Sequence, residues 1–137
     1  MSVSHVALPG SERPPLAEVR SLGPVDPTTV VAITLVLRRR AEPPPDAFAA
    51  APLTRTELAE RYGAEPADLD AVTLAVTAAG AEVISADPAS RLVRVRGSAD
   101  TLTALFGSPL EQVSRAGGAF RMRQGGLSVP APVSGLL

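Results

Sequence analysis

An uninterrupted β-branched run is the feature that most limits how this chain can fold. Residues 30–37 read VVAITLVL, and the odd-numbered positions carry larger apolar side chains than the even-numbered ones. Arginines occupy positions 38–40 and prolines occupy positions 43–45, so a strand cannot continue beyond this point. The pattern predicts a central strand with one face on a core and the other face half exposed.

Two helices are predicted after the proline-rich loop. Thr54 and Glu57 have the spacing of a capping box, in which each side chain accepts a hydrogen bond from a free backbone N–H. The helix that they open ends at Gly63, and a second helix begins at Pro66 and runs to about Ala79. Helical spacing predicts that its buried stripe consists of Leu69, Val72, Val76 and Ala79.

The rest of the chain adds strands and one more helix. Strands are predicted at 82–86 and 92–96, a helix capped by Ser98 at 99–106, and a last hairpin within 110–123. The order is strand, helix, strand, strand, helix, strand, which is that of a ferredoxin-like split βαβ fold. The expected class is therefore α+β, with an antiparallel sheet, helices on one face and the other face open.

Composition excludes several functional classes. The formal net charge of -1 argues against nucleic acid as a partner, since nucleic-acid binding needs a positive surface. Without cysteine the chain has no disulfide, zinc-thiolate site or thiol nucleophile. No apolar run approaches the roughly 20 residues that span a bilayer, so no membrane association is expected. The first ten residues show neither a charged region nor an apolar core of a signal peptide.

Few residues suggest catalysis or metal binding. His5 is the only histidine and lies in a proline- and glycine-rich tail, where no third group would position it as a base. Asp68 and Asp70 are too close along a helix to share a face, so helix solubility is their better explanation. Residues 38–40 could form a nucleic-acid or processing signal, but a solvated strand end is the favoured interpretation. No catalytic, cofactor-binding or metal-binding residue is predicted.

The open sheet face is the candidate site. Side chains that alternate away from the helices would form an apolar strip flanked by guanidinium groups, and arginine is enriched at interface cores. An ordinary solvent-facing sheet with a few apolar residues is the alternative, and the residues alone leave both open. The predicted partner contacts are Thr34, Val36, Leu92, Arg94, Arg96 and Met122.

The stretch LTRTELAERYGAEPADLDAV (residues 53–72) resembles the pro-kumamolisin activation domain, the propeptide of the serine-carboxyl (sedolisin) peptidases. Further stretches are similar to that family in the same order. They are HVALPGSERPPL (5–16), TLVLRRR (34–40), RLVRVRGSADTLTALFG (91–107) and FRMRQGGLSVP (120–130). The order and spacing of these pieces carry the resemblance, which covers nearly the whole chain.

The resemblance implies a single prodomain of a secreted zymogen that helps a peptidase domain fold and inhibits it until autocatalytic removal at acid pH. Residues 1–28 would form an extended segment, 29–126 a ferredoxin-like core and 127–137 the start of a linker to an absent peptidase domain. The Ser-Glu-Asp catalytic residues and the calcium site of the family lie in that domain. The chain itself is then not an enzyme and holds no cofactor, and its partner is the cognate serine-carboxyl peptidase domain.

Two alternatives remain open from the sequence. The first is a free-standing ferredoxin-like module that binds a protein or assembles with itself. The second is a small enzyme that uses arginine on an anionic ligand, although the chain offers no evident acid, base or nucleophile. For the prodomain, Arg94 and Arg96 are expected to pair with partner carboxylates, which acid would protonate and release.

Overall fold

The computed structural model describes residues 4–49, 51–123 and 125–137. Three helices lie in this part of the chain, and they are α1 (Arg55–Tyr62), α2 (Pro66–Ala78) and α3 (Ala99–Phe106). A short 3-10 turn follows at Ala131–Val133. The strands are β1 (His5–Ala7), β2 (Arg20–Pro24), β3 (Val30–Val36), β4 (Glu82–Asp87), β5 (Leu92–Ser98), β6 (Glu111–Arg115), β7 (Gly118–Met122) and β8 (Ser128–Pro130).

The central sheet is antiparallel and has the order β3-β5-β4. In its register Val36 lies opposite Leu92, and a bulge interrupts the β4–β5 pairing between Val83 and Ser85. Helix α2 packs on β4 and helix α3 packs on β5. The predicted α+β class, with the character of a ferredoxin-like split βαβ fold, is confirmed.

The core lies between this sheet and the helices. The odd-numbered residues of β3 face it, and Leu37 just after the strand is completely buried. Val93 and Val95 of β5 are also completely buried, as their alternation with Arg94 and Arg96 requires. The other residues of the buried cluster are Ala64, Val72, Val76, Ala81, Leu102, Leu105, Phe106, Val129 and Val133.

Two further sheets lie outside the central one. The hairpin β6–β7 pairs with β2 in the order β2-β6-β7, and β1 pairs with β8 so that His5 lies opposite Pro130. Short strands therefore form within the first 28 residues, where the proline and glycine content predicts only extended, irregular chain. β3 consequently has β5 as its only strand neighbour among the described residues.

The helix ends show which local signals determine the structure. The capping box is confirmed, because Glu57 N donates to Thr54 Oγ1 at 3.1 Å and Thr54 N donates to Glu57 Oε1 at 3.3 Å. Val72 and Val76 are buried as predicted, whereas Ala79 is exposed because α2 ends one residue before it. The predicted buried position at Ala79 is therefore wrong.

Gly63 ends α1 for a steric reason. Its φ of -77° is available to any residue, so no left-handed conformation is required. A Cβ at this position would lie 2.6 Å from Ala59 O and even closer to Pro88 O. The glycine therefore allows the turn between β4 and β5 to approach the end of α1.

Candidate partner interface

The register of the central sheet brings most of the predicted contact residues together. Thr34 lies opposite Arg94, and Val36 lies opposite Leu92. Arg96 follows two residues after Arg94 on the same strand, so its side chain points to the same side of the sheet. These five side chains share the face that points away from α2 and α3, which is hereafter called the outer face.

Met122 is placed elsewhere. It is the last residue of β7, which belongs to the β2-β6-β7 sheet rather than to the central sheet. The prediction assumed that the last hairpin extends the central sheet, and the pairing of β6 with β2 removes that basis. Met122 is half-buried and does not belong to the outer face.

The outer face carries more exposed apolar surface than the alternation of β3 suggests. Val30 and Val36 stand at its two ends on β3 and are 63% and 49% exposed. Val30 was not among the predicted contacts. The alternation of side chains along β3 nevertheless places Val30 on the same face as Thr34 and Val36. Ile84, which lies in the bulged part of β4, is also exposed. Large aliphatic side chains therefore remain available to a partner.

The two arginines of the outer face differ in their electrostatic surroundings. Arg96 Nη2 lies 2.7 Å from Glu82 Oε2, and both side chains are at least half exposed. Arg94 forms no ion pair with any residue in the described parts of the chain. Arg94 is therefore free to pair with a partner carboxylate, whereas Arg96 would first have to leave or share Glu82.

The interpretation that Asp68 serves helix solubility is wrong, because Asp68 is buried and paired. Its side chain is buried in the first turn of α2 and accepts hydrogen bonds from Arg38 Nε at 2.9 Å and Arg38 Nη2 at 3.3 Å. The hydrogen bond to Asp68 raises the pKa of the Arg38 guanidinium above its usual value. The ion pair connects the end of β3 to α2, and no local pattern shows this contact because thirty residues separate the two positions.

The arginine run after β3 is likewise more than a solvated strand end. Arg40 Nη1 donates to Glu60 O at 2.8 Å, and Arg40 Nη2 lies 3.2 Å from Glu65 Oε2. Together with the Arg38–Asp68 pair, these contacts attach residues 38–40 to both ends of the α1–α2 connection. Arg38 and Arg39 are both exposed, whereas Arg40 is half-buried.

The turn between β4 and β5 holds a carboxylate in place. Ser90 Oγ donates to Asp87 Oδ2 at 2.6 Å, and the backbone N–H groups of Ala89 and Ser90 also donate to this side chain. The Ser90 hydroxyl is the main reason why the pKa of Asp87 is lower than usual. Arg55 of α1 forms an ion pair with the same carboxylate.

His5 and the acidic side chains are the residues that could support catalysis or hold a metal ion. His5 lies in β1, where its Nε2 is 3.1 Å from Ala104 O. Within the described ranges, no group of three or more His, Asp or Glu side chains is arranged to hold a metal ion. None of the helices described is long and apolar enough to cross a bilayer.

Comparison with known proteins identifies the family. No curated protein matches the sequence significantly. The sequence model of a family described as "Pro-kumamolisin, activation domain" matches residues 17–137, which is most of the chain. An activation domain of this kind is not itself catalytic, and the family implies association with a cognate peptidase domain. The chain thus belongs to the pro-kumamolisin activation domain family, the propeptide activation domains of sedolisin-type peptidases.

Proposed function

We propose that this activation domain inhibits a serine-carboxyl peptidase, assists the folding of that peptidase, and docks on it through the outer face of the central sheet. The observation that carries the proposal is the unpaired Arg94, which stands opposite Thr34 among exposed aliphatic side chains. The domain would be exported as part of the zymogen and removed by autocatalytic cleavage in acid.

Apolar burial would supply part of the binding free energy. Val30 and Val36 are each about half exposed, and full burial of an exposed valine contributes roughly 1.5–3 kcal/mol. Covering both side chains would therefore contribute about 2 kcal/mol before the cost of association. This apolar contribution would be largely independent of pH.

Arg94 would supply the part of the binding free energy that depends on pH. An unpaired carboxylate of the peptidase has a pKa of about 4, and pairing with Arg94 would lower it, so the contribution of the pair is lost as the pH falls from about 4 through that lower pKa. Protonation of that carboxylate removes the attraction and leaves a buried charge without a partner. Acid therefore weakens the complex, which matches activation in an acidic compartment.

The test is a titration of the purified chain into an active serine-carboxyl peptidase from the same source at pH 7 and below about pH 4. We expect inhibition at pH 7 that weakens below about pH 4. Arg94→Ser together with Arg96→Ser should weaken inhibition at pH 7 by about tenfold or more. Arg115→Ser makes the same kind of charge change on β6 and should leave inhibition unchanged. Failure of the wild-type chain to inhibit or bind the peptidase would refute the proposed function.

A further inference from the structure

β3 lies at the edge of the central sheet, and its backbone is paired on one side only. Leu37 N donates to Arg91 O at 2.8 Å, which continues the β3–β5 register by one residue. At the other end, Ala99 N donates to Thr29 O at 2.8 Å. In an antiparallel pair the hydrogen-bonded positions alternate. Odd-numbered residues of β3 therefore face β5 with their backbone groups, and even-numbered residues face away.

The backbone groups that face away from β5 belong to Val30, Ala32, Thr34 and Val36. Within residues 4–49, 51–123 and 125–137, their N–H and C=O groups have no hydrogen-bond partner. The next even-numbered residue, Arg38, is bonded on this side, because its backbone N donates to Leu136 O at 2.8 Å. Leu136 belongs to the turn that follows Ala131–Val133, so a turn of the chain is bonded to the edge just beyond β3, and the strand itself remains unpaired on that side.

An aliphatic groove of about 370 Å³ runs beside this edge. Outside β3, its apolar lining consists of Leu8, Leu102, Phe106, Leu110, Leu127 and Leu137, and Thr103 and Ser108 are its uncharged polar residues. Arg123 is the charged side chain in the lining, and its Nη1 already donates to Ser11 O at 2.9 Å and to Gly125 O at 3.1 Å. The groove therefore favours apolar side chains rather than charged ones.

We infer that the free edge of β3 receives an extended strand of the peptidase, with aliphatic side chains at alternate positions directed into the groove. The inference rests on the proposed function. A helix could not fill this role because its own backbone groups are already bonded internally, whereas an extended strand can bond to Ala32, Thr34 and Val36. Thr34 and Val36 also belong to the outer face, so one partner can cover both surfaces continuously.

Amide hydrogen exchange tests this inference directly. A ¹⁵N-labelled chain is measured alone and saturated with a peptidase whose catalytic serine has been replaced, so that the chain stays intact. We expect the amides of Ala32, Thr34 and Val36 to exchange at least about tenfold more slowly in the complex. The amides of Ile33 and Leu35, which face β5, serve as the internal reference.

Three results would overturn the inference. The first is an inhibitory complex in which these three amides exchange as fast as in the free chain. The second is equal protection in a dimer of the chain without peptidase, because the occupant would then be a second copy. The third is protection of the three amides by a short helix rather than by a strand, shown by the chemical shifts of the bound peptidase segment. Absence of any complex would instead refute the proposed function.

A backbone substitution provides a second test. Thr34→Pro removes the N–H that faces the groove but takes no hydrogen bond from the β3–β5 ladder. We expect it to weaken inhibition by about tenfold or more, whereas Thr34→Val, which keeps the N–H, should inhibit like the wild type. If Thr34→Pro does not fold, Thr103→Trp fills the groove from α3 and should have the same effect. Unchanged inhibition by the folded variant would overturn the inference.

Discussion

Arg38 Nε lies 2.9 Å from Asp68 Oδ2, and this ion pair joins the end of β3 to the first turn of α2. The carboxylate is buried and the guanidinium is half exposed, so the pair stands at the boundary of the core. Both nitrogen atoms that Arg38 directs at Asp68 lie on the same edge of its guanidinium. The contact therefore fixes the angle between strand and helix as well as their distance.

Asp68→Asn should lower the free energy of unfolding by about 1–2 kcal/mol, because a buried acceptor of two charge-assisted hydrogen bonds loses its charge. Urea denaturation at pH 7 measures the change. Asp70→Asn is the matched control, since Asp70 is an exposed aspartate on the same helix. Equal stability of the two variants would show that the pair contributes nothing to the fold.

Gly63→Ala should destabilise the chain by about 3 kcal/mol, because the added methyl group would meet the backbone oxygens of Ala59 and Pro88. Backbone atoms on both sides leave no flexible side chain that could move away. Gly118→Ala is the control, because the nearest atom to its Cβ would be 3.7 Å away. Thermal unfolding that shifts equally in both variants would contradict this account.

Acid should destabilise the isolated chain through carboxylates whose pKa is lowered by folding. A hydroxyl donor holds the pKa of Asp87 and of Asp26 below the usual value, and the backbone N–H of Thr54 does so for Glu57. Such groups stabilise the fold fully above the unfolded pKa of about 4, and this contribution is lost as the pH falls through the lower folded pKa. The free energy of unfolding should therefore decrease as the pH falls below about 5.

Asp87→Asn isolates one of these groups. We expect it to reduce stability at pH 7 and to flatten the decrease below about pH 5, because the titrating carboxylate is gone. Asp46→Asn replaces an exposed aspartate whose side chain makes no hydrogen bond in the described part of the chain, so its pH profile should follow the wild type. Urea denaturation from pH 7 to pH 2.5 provides the comparison, and parallel profiles for both variants would refute the role of Asp87.

Glu82→Gln should strengthen inhibition of the peptidase by about two- to fivefold at pH 7. The substitution releases Arg96 from its 2.7 Å ion pair, and exposed pairs contribute up to about 1 kcal/mol. Glu60→Gln removes the same charge from the exposed side of α1 and should not change inhibition. If Glu82→Gln weakens inhibition, Glu82 itself contacts the peptidase. Arg96 would then support Glu82 and would not bind a peptidase carboxylate.

The elements with strong local signals could be predicted from the sequence. β3, the capped helix α1, α2 and α3 each combine a periodic pattern with a cap or a proline stop, and the structure places them where those signals indicate. β1, β2 and β8 could not be predicted, because they are three to five residues long and gain their stability from partners far along the chain. Pairing between distant short segments leaves no periodic pattern in either one.

In the candidate site, too, local patterns could be predicted and contacts between distant segments could not. Alternation along β3 and β5 was sufficient to place Thr34 and Arg94 on one face, because strand side chains alternate wherever the strand lies. The place of Met122 outside this face could not be predicted, because it depends on which sheet β7 joins. The Arg38–Asp68 pair was missed for a similar reason, since only the packing of α2 on the sheet brings the two residues together.

The pairing of His5 with Pro130 joins the two extremities of the chain. Closing so long a loop is entropically unfavourable until the intervening chain has condensed, so the β1–β8 pairing is expected to form last during folding. The exposed strand β1 is expected to detach before β8, whose Val129 is buried in the core. Among the residues that the structure describes, β1 and β8 are each other's only strand partner. Loss of this one pairing would thus make the amino-terminal strand accessible to proteolysis while β8 stays packed in the core.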